Sequence, residues 1–105
     1  MTLLLEGKML RHVVMVNFKA EVGQRERDEF AKKAAETLAQ VPGTKNIIMG
    51  QASEVQGKAR YGAGLFVDFE NEAALKSYLE HPIHKAVAAQ MPSLLNEFLV
   101  SNYLY

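Results

Sequence analysis

The sequence contains no cysteine and no tryptophan, and only three of its 105 residues are proline. Without cysteine the chain has no disulfide, no thiolate nucleophile and no thiolate metal ligand. It also lacks an excess of either charge, because twelve basic residues balance twelve acidic ones. A neutral chain lacks the basic surface that binds nucleic acids, and no polybasic run suggests a membrane surface. We therefore expect neither a nucleic-acid partner nor a membrane partner.

The apolar stretch at the start of the chain is short. It is broken at Gly7 and Lys8, which leaves too few residues for a signal peptide or a membrane span. A cytoplasmic location is the expectation that follows. The remaining sequence is rich in apolar residues and has no internal repeat, which indicates one folded domain. We predict that residues 1–8 form an N-terminal extension and that residues 9–105 form the domain.

Hydrophobic periodicity predicts four strands and at least two helices in the domain. The predicted strands are Leu10–Lys19, Asn46–Gln51, Tyr61–Phe69 and Phe98–Tyr103. The predicted helices are 24–40, 71–81 with Asn71 as N-cap, and 83–91, the last interrupted at Pro92 with a further turn at 94–96.

The order strand, helix, strand, strand, helix, strand is typical of the ferredoxin-like split βαβ fold of the α+β class. In that fold a four-stranded antiparallel sheet is covered by helices on one face only. The other face here carries the apolar residues Val13, Met15, Phe66 and Leu99. Because a bare apolar sheet face usually marks an interface, we predict a two-fold homodimer in which two sheets face each other.

Two of the three histidines flank the proline that ends the second helix, in the run His81-Pro82-Ile83-His84. The third, His12, lies in the first strand, and Tyr78 belongs to the apolar stripe of the second helix. If that helix packs on the sheet face that carries His12, then His12, Tyr78 and His84 line the same space. The small residues Ala31, Ala34 and Ala63 are expected to leave room there for a ligand.

Several short motifs follow one another along the chain. They are Arg11-His12-Val13-Val14, Val41-Pro42-Gly43, Val67-Asp68-Phe69, Tyr78, His81-Pro82-Ile83-His84 and Asn102-Tyr103. With these motifs in this order, residues 9–105 resemble the stress-responsive A/B barrel (Dabb) domain family of the dimeric α/β barrel superfamily. The resemblance implies a ferredoxin-like domain that pairs into a dimeric α/β barrel, in agreement with the pattern of strands and helices.

The family includes a plant polyketide cyclase, and the resemblance implies catalytic roles for three residues. His84 would be a general base, Tyr78 would donate a hydrogen bond or orient the base, and His12 would bind polar groups of the substrate. Such a base removes a proton next to a carbonyl, and a donor stabilises the enolate oxygen that develops. The implied ligand is small and hydrophobic or carbonyl-bearing, and no cofactor is implied.

The sequence also departs from the family pattern. Asn102 stands where an acidic residue is common, and Ala31 and Ala34 stand where the plant cyclase carries bulky aromatics. We therefore expect a pocket of different shape and do not carry over the plant enzyme's substrate.

Structural interpretations stand beside the functional ones. His84 could only tether the corner between two helices, His12 could be a half-buried polar residue of a strand, and His81 is expected to bond the last carbonyls of its own helix. The three histidines could hold zinc, and Asp68 could offer oxygen to magnesium, but no carboxylate pattern completes a site, so we expect no metal.

Four functional hypotheses result. The first is a homodimeric small-molecule-binding protein of unassigned role. The second is a cofactor-independent enzyme of the polyketide cyclase or lyase kind that uses His84 as general base. The third is a monooxygenase-like member of a neighbouring dimeric barrel family. The fourth is an interaction module, which predicts no cavity beside His84.

Overall fold

The computed structural model describes residues 8–105, so the predicted extension lies outside the described residues apart from Lys8. The elements in chain order are β1 (Leu10–Phe18), α1 (Gln24–Leu38), β2 (Lys45–Gln51), β3 (Ala63–Phe69), α2 (Glu72–Glu80), α3 (Pro82–Ala88), α4 (Met91–Leu94) and β4 (Leu95–Leu104). In the described part of the chain, every helix is too short or too polar to cross a membrane.

The four strands form one antiparallel sheet in the order β2-β3-β1-β4. β1 is central and pairs with β3 on one side and with β4 on the other, in agreement with its apolar residues on both faces. The prediction of a ferredoxin-like four-stranded antiparallel sheet is therefore confirmed. β2 and β4 are the edge strands.

The helices cover one face of the sheet. α1 buries Ala34 and Leu38, and α2 buries Leu75 and Tyr78, as the spacing of these apolar residues predicts. α2 begins as predicted, because the side chain of Asn71 accepts a hydrogen bond from the backbone N–H of Ala74 at 2.9 Å. The resulting core lies between these helices and the strand residues that alternate towards them.

The segment between α3 and β4 differs from the prediction. Pro92 does not interrupt a helix but lies in the first turn of the short helix α4. A proline fits there because the N–H groups of the first turn donate no hydrogen bond within the helix. The turn predicted at 94–96 is also wrong, because β4 already begins at Leu95. Leu95 is buried and pairs with Phe18 of β1, so the strand starts three residues earlier than its sequence pattern indicates.

The face of the sheet away from the helices carries the four apolar residues predicted there. Val13 lies opposite Phe66, and Met15 lies opposite Leu99. Leu99 keeps 43% of its surface exposed. We call this surface, made of Val13, Met15, Phe66 and Leu99, the bare face.

The buried carboxylate of Asp68 lies on the same side of the sheet. It accepts two hydrogen bonds from Arg11, at 2.8 and 3.0 Å, and one from Asn46 at 3.1 Å. The pKa of Asp68 is lowered to about 2, mainly because its carboxylate accepts hydrogen bonds from the Arg11 guanidinium. The oxygens that the sequence offered as magnesium ligands are therefore held by protein donors.

Candidate functional site

The structure brings His12, Tyr78 and His84 together between the sheet and the helices. His12 is the third residue of β1, points towards the helices and is 3% exposed, while Tyr78 of α2 is fully buried. The centre of the Tyr78 ring lies 4.7 Å from that of His84 and 5.9 Å from that of His12. The three predicted site residues thus share one space. The two-residue period of β1 places His12 on this side of the sheet, and the apolar stripe of α2 places Tyr78 opposite it.

The corner between α2 and α3 places His84. His81 has an extended backbone, with ψ of 138°, because the following Pro82 disfavours a helical residue before it. Its ring Nδ1 accepts a hydrogen bond from the backbone N–H of Ile83 at 3.1 Å. The side chain of His81 is therefore the N-cap of α3. Its backbone N–H donates a hydrogen bond to the Tyr78 carbonyl at 3.1 Å, so His81 also bonds one of the last carbonyls of its own helix, as the sequence analysis expected.

A polar pair joins β1 to β4 beside the site. His12 lies opposite Asn102 in the strand register, and its Nδ1 is 2.7 Å from the Asn102 side-chain oxygen. Because an amide oxygen only accepts hydrogen bonds, Nδ1 carries the proton and Nε2 is the unprotonated nitrogen of the neutral ring. Burial is the main cause that lowers the pKa of His12. The ring is therefore neutral at neutral pH.

Two polar atoms of the site have no hydrogen-bond partner among residues 8–105. They are the hydroxyl of Tyr78 and Nδ1 of His84, and both are buried. A buried polar group without a partner is costly, so native proteins rarely keep one unless a ligand or water satisfies it. Two such atoms on rings that touch therefore make this space the candidate binding site.

The protonation of these two groups follows from their surroundings. Burial raises the pKa of Tyr78 to about 12, so its hydroxyl remains a neutral donor. Burial, and then the charge of a protonated His12, lower the pKa of His84. The backbone of Leu79 raises the pKa of His84, but it does not lie in hydrogen-bonding geometry with Nδ1. At neutral pH the site therefore holds two uncharged imidazoles and one phenol.

The three side chains line an inner chamber of about 60 Å³. The rest of its wall is apolar and includes Ala34 and Met49. The chamber adjoins an open groove of about 770 Å³, and His12, His84 and Ala88 line both spaces. We refer to the two spaces as the inner chamber and the outer groove.

One wall of the outer groove is formed by the helix-facing residues of β4, which include Phe98, Val100 and Asn102. The sequence analysis assigned no site residue to this strand apart from noting that Asn102 departs from the family pattern. The alternation of Phe98, Val100 and Asn102 was visible in the sequence. What was missing was the strand order, since only the pairing of β4 with β1 places this face beside His12.

The alanines predicted to leave room for a ligand divide between two places. Ala34 lines the inner chamber, as expected. Ala31 and Ala63 instead line a separate cleft of about 540 Å³ between α1 and the ends of β2 and β3. The expectation is therefore wrong for these two residues, because Ala31 lies on a different flank of α1 from Ala34.

Within the described part of the chain, no three His, Asp or Glu side chains lie close enough together to hold a metal ion. His12 and His84 share the inner chamber, whereas His81 is engaged in capping α3. The three histidines therefore do not converge on one point.

Comparison with known proteins gives one family. The model of the Stress responsive A/B Barrel Domain matches residues 10–104 of the chain. Among characterised proteins, the chain is 23% identical over 95 residues to olivetolic acid cyclase of Cannabis sativa, which covers 90% of this chain and 94% of that protein.

Solved structures give the same fold. A hydroxynitrile lyase from Passiflora edulis superposes with a TM-score of 0.83 at 18% identity, covering 94% of each chain. A dimeric ferredoxin-like protein of unknown function from Thermobifida fusca YX superposes with a TM-score of 0.82 at 19% identity, covering 95% of this chain and 93% of that one. At these identities the likeness shows the fold alone.

Proposed function

Because the chain belongs to the stress responsive A/B barrel domain family, as its motifs indicated, we propose that it is a homodimer that binds a small molecule between sheet and helices. The observation that carries this proposal is the pair of buried, unpartnered polar atoms on Tyr78 and His84. The residues that carry them line a chamber that adjoins an open groove. An interaction module without a ligand would have no use for such a pair.

The sizes of the two spaces suggest how a ligand is held. The inner chamber, about 60 Å³, has the volume of about two water molecules and so fits one polar group of a ligand. The phenol of Tyr78 can donate a hydrogen bond to that group, and a ring nitrogen of His84 can donate to it or accept from it. The apolar body of the ligand then lies along Val100 and Phe98 in the outer groove.

The bare face supports the homodimer. Its four apolar side chains are contiguous across β3, β1 and β4, and none of them belongs to the core clusters under the described helices. Val13 at the centre is 9% exposed, whereas Leu99 at the margin is 43% exposed. A second copy that presents the same face would bury both surfaces, which is the usual solution for an isologous dimer. A protein of the same fold from Thermobifida fusca is described as dimeric.

Prodan, an uncharged naphthalene ketone whose emission shifts to shorter wavelength in apolar surroundings, tests the binding site. We expect it to bind the wild-type protein with a blue shift. Ala88→Trp should abolish binding, because Ala88 lines both spaces and an indole there occupies them. Ala89→Trp is the matched control, because Ala89 is exposed and lines neither. Equal Prodan binding by the two variants, or none by the wild type, would contradict the proposal.

A second candidate function is proton transfer, as in a cyclase or a lyase. Its support is the neutral imidazole of His84 in contact with a neutral phenol. In this mechanism an unprotonated ring nitrogen of His84 takes a proton from the carbon next to a carbonyl. The electron pair of the broken C–H bond forms a carbon–carbon double bond, and the π pair of the carbonyl moves to its oxygen. The Tyr78 hydroxyl stabilises that oxygen, while Nε2 of His12 accepts a hydrogen bond from a substrate hydroxyl. The monooxygenase-like alternative stays a hypothesis.

Exchange of the methyl protons of acetophenone in D2O, followed by NMR, tests proton abstraction without knowledge of the natural substrate. We expect the protein to accelerate the exchange, His84→Ala to abolish it, and Tyr78→Phe to slow it. Tyr78→Phe should not lower the melting temperature, because the lost hydroxyl has no partner among the described residues. His81→Ala should keep the exchange rate. Exchange that survives in His84→Ala would overturn the role of His84.

A further inference from the structure

We propose that this site selects uncharged ligands and rejects anions, so that its natural ligand is a neutral carbonyl or hydroxyl compound and not a carboxylate or a phosphate ester. The inference rests on the proposed small-molecule site and adds the ligand's charge class to it. It follows from which side chains line the inner chamber and the outer groove.

Among the described residues that line the two spaces, Glu97 alone carries a formal charge, and that charge is negative. Its strand position puts it on the face of β4 shared with Leu99, because it lies opposite Asn17 of β1. Its carboxylate accepts two hydrogen bonds from Arg60, at 3.0 and 3.1 Å. Arg60 itself lines neither space, so its charge is satisfied outside the site. Within residues 8–105, no lysine or arginine contributes to either wall.

The remaining groups that titrate are His12, His84 and Tyr78. The amide oxygen of Asn102 holds a proton on His12 without adding charge. A charge on one histidine opposes a charge on the other. The described walls of the site therefore contain no counter-charge for an anion at neutral pH. Apart from Glu97, β4 contributes only uncharged residues, which are Leu95, Asn96, Phe98, Val100 and Asn102.

The physical consequence is a penalty on anionic ligands. A carboxylate that enters the inner chamber gives up its hydration and finds hydrogen-bond donors but no cation, which is the costly way to bury a charge. A ketone of the same shape loses far less hydration, and its single oxygen is satisfied by the Tyr78 hydroxyl. Discrimination therefore comes from the missing cation and not from the shape of the pocket.

Prodan and the naphthoate in which a carboxylate replaces its propionyl group form a matched pair for the test, since both carry the same fluorescent ring. At neutral pH we expect the naphthoate to bind the wild-type protein at least about tenfold more weakly than Prodan. Val100→Lys should narrow or reverse this difference, because it adds a cation to the groove wall. Leu104→Lys adds the same charge to the same strand outside the groove lining and should leave the difference unchanged.

The two proposals fail in different ways. A naphthoate that binds the wild type as tightly as Prodan, at a site blocked in Ala88→Trp, overturns the charge selectivity and leaves the small-molecule site intact. A gain of naphthoate binding in Leu104→Lys equal to that in Val100→Lys also overturns it, since the cation would then act from the general surface. Failure of Prodan itself to bind removes the proposed site, and the charge selectivity falls with it.

Discussion

At the scale of single residues, the pairing of His12 with Asn102 determines what the site can do. The amide oxygen accepts the Nδ1 proton over 2.7 Å and so leaves Nε2 as a hydrogen-bond acceptor. An aspartate at this position would accept the same hydrogen bond but would also stabilise the protonated ring. The asparagine thus keeps His12 neutral. An asparagine in place of an acidic residue therefore changes the charge state that His12 can adopt.

We predict that Asn102→Asp raises the pKa of His12. Burial lowers this pKa below the ordinary value of about 6.5, and a carboxylate in hydrogen-bond contact favours the charged form instead. The half-titration point of the His12 ring, followed by NMR, should move to higher pH. Asn96→Asp places the same change earlier on β4 and should move it much less. A pKa that stays depressed in Asn102→Asp would show that the pair does not form in solution.

The sequence predicted part of this site because the signals are local. The period of β1 and the stripe of α2 place His12 and Tyr78, and Pro82 places His84 one turn into the next helix. Asn102 was not recognised as a partner, because its contact with His12 joins residues 90 positions apart. No local pattern encodes that register.

At the scale of elements, the corner between α2 and α3 separates two histidines that look alike in the sequence. His81 accepts a hydrogen bond at the start of α3, whereas His84 turns towards Tyr78. Sequence reasoning predicted the boundaries of α2 because Asn71 and Pro82 are strong local signals. It missed the start of β4, because Leu95 becomes a strand residue through its pairing with Phe18 of a distant strand.

We predict that His81→Ala lowers the free energy of unfolding by about 1 kcal/mol, the usual loss when an N-cap side chain is removed. His81→Asn should restore most of this loss, because its side-chain oxygen can accept the same hydrogen bond. Chemical denaturation of the variants measures the change, and Prodan binding should be kept in both. Loss of binding at unchanged stability would mean that His81 belongs to the site and not to the helix cap.

At the scale of the whole molecule, one sheet has helices on one face and the bare face on the other. The strand order and the one-sided covering were predictable, because the order of strands and helices specifies a split βαβ fold. The sequence also predicted which residues face away from the helices.

Two neighbouring residues of β4 test the dimer. Leu99 lies on the bare face and Val100 on the helix side, and their exposed fractions are nearly equal, at 43% and 44%. We predict that Leu99→Asp shifts the protein towards monomer in light scattering, because a charge on an apolar interface is poorly solvated. Val100→Asp should leave the mass unchanged. The reverse result would place the dimer contact on the helix side of β4, and a monomeric wild type would remove the dimer altogether.

The pairing of β1 with β4 also has a consequence for how the protein is made. β1 is synthesised before the other three strands and β4 after them, yet the two strands pair with each other in the sheet. The pairing continues beyond their ends in the hydrogen bond from the Met9 N–H to the Tyr105 carbonyl at 2.9 Å. Contacts between such distant segments slow folding, since a long loop must close before they form. A nascent chain that lacks β4 has neither Asn102 nor the outer wall of the groove, so binding competence arises only when synthesis of the domain is complete.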